Sequence, residues 1–219
     1  MQPEGACQIL AHMILAKDAL DELRDGNRRF AAGEVGATSV ASRAHQVGMS
    51  GGQNPFAIVL ACSDSRVPVE LVFDQGFGDL FVIRVAGNVV APSQIGSIEF
   101  AASQFGTKLV VVLGHSNCGA VIATLKELSL EQTHRSPNLR AIVDRVRPAI
   151  EPVLQAHTNS DEATLTGAAV RANILASVER LSHGSLILEQ LVNEGELLIV
   201  GAEYSIETGK VEFFDENKS

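Results

Sequence analysis

Two apolar runs in this chain each end in a short stretch of metal-ligating side chains, and that pairing constrains the fold more than any other feature. Phe56 to Leu60 leads into Ala61-Cys62-Ser63-Asp64-Ser65-Arg66, and Leu109 to Leu113 leads into Gly114-His115-Ser116-Asn117-Cys118-Gly119. Short apolar runs without alternation read as strands buried on both faces, the kind that build parallel sheets. Sites in open parallel sheets collect just beyond the carboxyl ends of the strands. Two such strands side by side bring Cys62, His115 and Cys118 together although Cys62 lies far from the other two in the chain. Two thiolates and one imidazole leave a zinc ion one ligand short of a tetrahedron, the mark of a catalytic rather than a structural site.

The remaining pattern supplies the rest of such a fold. Residues 6 to 24 place Leu10, Met13, Ile14, Leu20 and Leu23 at helical spacing, and Asp25-Gly26 breaks the pattern. Asn27 to Ala32 adds a helical turn with Phe30 inward, and residues 33 to 54, rich in Gly, Ser and Ala, read as an extended arm or loop. From Pro55 onward strands and helices alternate. Pro68 to Phe73 forms a short helix, Leu80 to Val85 a second strand, and Ser93 caps a helix that Gly106 ends. The second motif opens a helix from Gly119 to about Leu128, and residues 129 to 136 form a loop. Asn138 to Gln155 is a helix that Pro148 kinks or splits, followed by helices over Asp161 to Ser182 and Ser185 to Asn193. Leu197 to Ala202 is a further strand, and after the turn at Glu207-Thr208-Gly209, Val211 to Phe214 returns as an antiparallel edge. The expected fold is α/β: a mostly parallel central sheet of four strands plus an antiparallel edge strand, flanked by helices, with an N-terminal helical arm. The 219 residues suit a single domain, with 1–54 as arm and loop and 55–219 as the α/β core.

Composition excludes several partners. A net charge of −9 makes nucleic acid and anionic membrane poor ones. No run of about 18 apolar residues offers a bilayer span, and the N-terminus does not read as a signal peptide. Three cysteines, Cys7, Cys62 and Cys118, are too few for a disulfide scaffold and fit a reducing cytoplasm.

Zinc takes thiolate and imidazole readily. His115-x-x-Cys118 lets two ligands leave one loop. Asp64 either closes the fourth position itself or leaves it to water, and Arg66 is spaced to hold Asp64 in a bidentate pair. With Asp64 so held, water on zinc becomes acidic and yields a hydroxide nucleophile. The blander reading of each part alone is different. A single Cys after a strand is a small buried hydrophobe, and Asp64–Arg66 alone is a structural ion pair. Cys7 reads as helix packing, and His12, His45, His134, His157 and His183 have no partner motif.

Taken together, Cys62-Ser63-Asp64-Ser65-Arg66 and His115-Ser116-Asn117-Cys118-Gly119 resemble the β-class carbonic anhydrases. The resemblance extends to Leu23–Phe30, Gly78–Asn88 and Gly201–Val211, and so to nearly the whole chain. It implies a zinc enzyme for the reversible hydration of carbon dioxide to bicarbonate and a proton, by attack of zinc-bound hydroxide. It assigns Cys62, His115 and Cys118 to the metal, and Asp64 and Arg66 to an orienting dyad, with Asp64 as the fourth ligand in a closed form. Gln53, Phe81 and Gly119 become substrate-side residues. It also implies a homodimer or homotetramer with the site at the interface. Val59 departs from family members that carry Trp three residues before the first zinc Cys as part of a bicarbonate site, to which Arg84 and Tyr204 would otherwise belong. A carbon disulfide or carbonyl sulfide hydrolase on the same frame is the rival enzyme, and a non-catalytic zinc or thiol sensor the rival of another kind. The sensor would not need Asp64, Arg66 or Gln53.

Overall fold

The computed structural model describes residues 14–34, 52–128 and 136–214. Its centre is β1, Ala57–Ala61, in which every residue is buried. On one side lies β2, Leu80–Arg84, and on the other β3, Leu109–His115, both parallel to β1. The sheet continues through parallel β4, Leu198–Tyr204, to antiparallel β5, Val211–Phe213, in the order β2-β1-β3-β4-β5. The expected sheet of four parallel strands and one antiparallel edge is therefore the one formed. Ala61 sits opposite Leu113, so the first motif leaves β1 directly beside the end of β3.

Alternation along these strands sorts their side chains into two cores. Ile58, Leu60, Val110 and Val112 pack beneath α3 (Pro92–Phe105), α4 (Gly119–Leu128), α5 (Pro137–Ala156), α6 (Glu162–His183) and α7 (Leu186–Asn193). Val59, Ala61, Val111 and Leu113 pack against α1 (Ala16–Ala31) and the short α2 (Val69–Val72). Each fully buried Val, Leu or Ile contributes about 1.5–3 kcal/mol. A register slip of one residue would exchange every one of them between the two cores, so the strand ends are held in one alignment.

Three boundaries differ from those the sequence predicts. First, Asp25-Gly26 does not break the first helix, because α1 runs through it. Gly26 is a packing residue: a Cβ there would stand 1.8 Å from the Phe73 carbonyl oxygen. Asn27 follows on the same helix, donating from Nδ2 to the carbonyls of Val72 and Gly209 and accepting at Oδ1 from the Val211 N–H. Second, Ser93 is not the cap of α3. Pro92 takes the first turn, where its fixed φ suits a helix start, and Ser93 Oγ bonds Gln94 instead. Third, α5 is one helix through both Pro148 and Pro152. Its stripe of Val143, Val146 and Ile150 is buried, and that burial offsets the roughly 3 kcal/mol that each of the two prolines costs mid-helix. The strands β3 and β4 also run two residues further than expected, to His115 and Tyr204. The early part of the predicted first helix, most of the arm over 33–54 and nearly all of the loop over 129–136 lie outside the described residues. No helix among those described is long and apolar enough to cross a membrane.

Candidate metal centre

Cys62 is the first residue past β1, His115 the last of β3, and Cys118 the residue before α4. Parallel pairing of β1 with β3 brings them together, with their ligand atoms all within 4.8 Å of one another. The two sulfurs lie 4.0 Å apart, and exposure is 5% for Cys62, 0% for His115 and 1% for Cys118. Among the described residues this is the group able to hold a metal ion.

The backbone around the three is shaped to their needs. Gly114 lies against Ile174, where a Cβ would meet the side chain at 2.5 Å. Gly87, at φ 69°, donates its N–H to Cys62 Sγ at 3.3 Å. The Gly87 carbonyl accepts from Asn173 Nδ2 at 2.8 Å, and the Asn88 carbonyl accepts from Ser177 Oγ at 3.2 Å. Thus α6 pins the turn that points an amide at the sulfur. Arg84, at the end of β2, donates to the carbonyls of Cys62 and Asp64 at 3.1 and 2.5 Å and braces the first motif.

The donor set fits a metal ion, and His115 shows it best. Its Nδ1 pairs with the Ser116 carbonyl at 2.9 Å, which makes Nδ1 the protonated nitrogen. Its Nε2 is buried with no hydrogen-bond partner. An orphaned buried nitrogen costs about 1–3 kcal/mol, a penalty that a metal would remove. The two thiols are electrostatically unequal. The hydrogen bond from Cys118 pulls the Cys62 thiol well below its usual range, while that bond and burial push Cys118 up. Burial opposes protonation of His115, but the Cys62 sulfur and the Ser116 carbonyl outweigh it and raise its pKa. The free chain therefore already favours one thiolate here, and a divalent cation would favour two.

Asp64 lies beside this triplet, Oδ2 standing 3.9 Å from His115 Nε2. Arg66 holds it bidentately, Nε to Oδ1 at 2.9 Å and Nη2 to Oδ2 at 2.8 Å, and adds its backbone N–H to Oδ1 at 3.0 Å. These bonds hold the Asp64 carboxyl far below the usual carboxylate range. It is consequently an acceptor only.

The other sequence-predicted residues separate into two groups. Gly119 opens α4 next to Cys118 and has nothing within 4 Å of where a Cβ would stand. Gln53 and Phe81, by contrast, are not brought to this cluster. Gln53 is exposed and precedes β1, whereas Cys62 follows it, so a strand about 16 Å long separates them. Phe81 pairs with Ile58 near the amino end of the sheet and packs on Phe100 and Phe105. Val59 is a fully buried residue of β1, and Tyr204 ends β4 opposite His115. His157 bonds the Val153 carbonyl, and His183 lies exposed beside Glu179 and Glu189. Cys7, His12, His45 and His134 lie outside the described residues. Sequence reasoning missed the parts played by Gly87, Asn173 and Ser177, and the bracing role of Arg84. Only the turn over Ala86–Asn88 carried a local signal for any of them.

Comparison with known proteins points the same way. Residues 57–211 match the carbonic anhydrase family. The chain is 36% identical over 188 residues to carbonic anhydrase 2 of Mycobacterium tuberculosis, covering 86% of this chain and 87% of that one. It is 39% identical over 191 residues to a carbonic anhydrase of Mycolicibacterium smegmatis, covering 87% and 89%. The solved β-carbonic anhydrase CcaA superimposes with a TM-score of 0.71 at 29% identity, over 90% of this chain and 88% of that one.

Proposed function

The chain belongs to the β-class carbonic anhydrases, and from that membership we propose that it hydrates carbon dioxide reversibly at a zinc ion held by Cys62, His115 and Cys118. The observation that carries this reading is the buried Cys-His-Cys triplet, with His115 Nε2 unpartnered and an ionised carboxylate beside it. Zinc in such a site acts as a Lewis acid that lowers the pKa of water toward neutrality.

The residues of the chain do the rest. Cys62 and Cys118 bind as thiolates, and the Gly87 N–H stabilises the charge on Cys62. His115 offers Nε2 because its other nitrogen is committed to the Ser116 carbonyl. Arg66 keeps Asp64 ionised and turned to itself, so the acid does not occupy the open ligand position. Asp64 then takes a hydrogen bond from the attacking oxygen's hydrogen and aims the oxygen lone pair at carbon dioxide. Gly119, in the first turn of α4, offers an accessible backbone amide to the negative charge that grows on the substrate.

Gln53 and Phe81 do not reach the chain's own cluster, and they fit the substrate side if a second copy supplies them. Two features support a homodimer or a larger even assembly. The edge of β2 is unpaired among the described residues, and Phe77 and Phe100 are each 52% exposed.

Metal analysis of the purified protein together with parallel assays of carbon dioxide, carbonyl sulfide and carbon disulfide tests the proposal. One zinc per chain and hydration of carbon dioxide are expected. Turnover of the sulfur compounds alone would establish the rival enzyme, and zinc without any turnover the sensor.

A further inference from the structure

We propose that Glu207, in the turn between β4 and β5, is a positioning residue for the zinc ligands His115 and Cys118; the inference rests on the reading of those two residues as ligands. They are joined by a bridge of only two residues, Ser116-Asn117, and Glu207 holds both bridge side chains. Ser116 Oγ donates to Glu207 Oε2 at 2.8 Å, and Asn117 Nδ2 donates to Oε1 at 2.8 Å. Ser116 Oγ also accepts the Ile206 N–H at 3.0 Å, and the Ser116 N–H donates to the Tyr204 carbonyl at 2.9 Å. The bridge is thus laced to a hairpin about 90 positions further along the chain.

The lacing matters because of what the bridge carries. The Ser116 carbonyl is the acceptor that fixes the His115 ring through Nδ1. Asn117 has φ 56°, a left-handed conformation that most side chains avoid. It sets the direction in which the chain enters Cys118, and its amide is tied to the Glu207 carboxylate. A turn residue needs no such reach. Glu207 also accepts from Ser205 Oγ at 3.2 Å within its own hairpin, but its two shorter bonds go to the ligand bridge. The Ser116 hydroxyl, followed by local turn contacts, holds its carboxyl below the usual range, so it is ionised wherever the enzyme is folded near neutrality. The same charge helps to raise the pKa of Arg66, which places Glu207 in the electrostatic surroundings of the Asp64–Arg66 pair as well.

The test uses the full-length, zinc-loaded enzyme. Zinc release to a chromogenic chelator is timed, the visible spectrum of the cobalt-substituted protein is recorded, and thermal unfolding of the metal-free chain is followed. Loss of an outer-sphere partner typically weakens metal binding about 10- to 100-fold. Glu207→Ala is expected to release zinc about tenfold faster or more and to shift the cobalt bands. Glu207→Gln, which keeps one acceptor oxygen, should fall between it and the parent. Asn117→Gly removes the amide yet suits φ 56°, and it should speed release without adding its full effect to that of Glu207→Ala.

Release within twofold of the parent and an unchanged cobalt spectrum in Glu207→Ala would overturn the proposal. So would a variant that only lowers the melting temperature of the metal-free chain, since Glu207 would then merely close its hairpin. If Glu207→Ala does not fold, Asn117→Gly and Ser116→Ala decide, and unchanged release in both overturns the proposal. A parent protein that holds no zinc overturns the ligand assignment, and this inference with it, before any variant is made.

Discussion

Asp64 receives three hydrogen bonds from one residue, two from the Arg66 guanidinium and one from its backbone N–H. Without that guanidinium the carboxylate is free to turn toward His115 Nε2, already 3.9 Å from Oδ2, and would compete for the open position of the proposed zinc ion. Arg66→Ala should therefore keep its zinc and lose at least tenfold in carbon dioxide hydration, about 1.4 kcal/mol of barrier. Metal content and rate measured on the same preparation check this, and a smaller loss with zinc retained would refute it. Arg66→Lys should rescue little, because a single ammonium cannot reproduce the bidentate grip. The pair also withstands acid. The folded-state pKa of Asp64 is depressed by Arg66, so the pair's contribution is present above the ordinary carboxylate range and is lost only as pH falls through the lower folded value.

At the scale of the element, β4 carries a cost near its carboxyl end. Glu203 faces Glu212 directly across the β4–β5 pair. Arg171, from α6, bridges both at 3.2 and 2.9 Å while lying over the Phe214 ring. Burial raises the Glu203 pKa despite Arg171. An acid whose folded pKa is raised binds its proton more tightly when folded, so stability falls as pH climbs from the ordinary carboxylate value through the raised one. Glu203→Gln is expected to raise the melting temperature at pH 7.5, with the gain shrinking toward pH 4. A lower melting temperature at pH 7.5 would show that the Arg171 pair outweighs the burial. Elements like β4 were legible in the sequence because long apolar runs and the Gly106 and Gly209 stops are local signals. The triplet proposed to hold the metal was legible for a similar reason, since Cys62 and His115 stand at strand ends and Cys118 follows His115 by three residues. Gly26 was misread because its reason for being glycine, the Phe73 carbonyl, lies on another element. Glu207 and Asn173 were invisible on the same grounds, because each acts through a hydrogen bond to a residue more than eighty positions away.

The whole molecule leaves two residues proposed for the substrate side at the far end of the sheet. Gln53 and Phe81 stand at the amino end of the parallel strands, the Cys-His-Cys triplet at the carboxyl end, and β2 is an unpaired edge among the described residues. Stable interfaces bury about 1,200–2,000 Å² in total, and the apolar exposure at Phe77 and Phe100 offers a place to begin one. Sedimentation at micromolar concentration should show a dimer or a larger even assembly. A fully active monomer would rule out a shared site. If Cys62, His115 and Cys118 hold zinc as proposed, their wide spacing also decides when the metal can arrive. Cys62 and Cys118 are 56 residues apart, and closing a loop of that length costs about 3–4 kcal/mol before β1 and β3 reward it. A chain that has not yet paired those strands can offer zinc only His115 and Cys118. On the proposed ligand set, zinc would not guide folding and would instead lock what has already folded. Zinc added during refolding should leave the refolding rate unchanged and slow only unfolding, whereas faster refolding with zinc would mean that the ion meets a nest already assembled at the rate-limiting step.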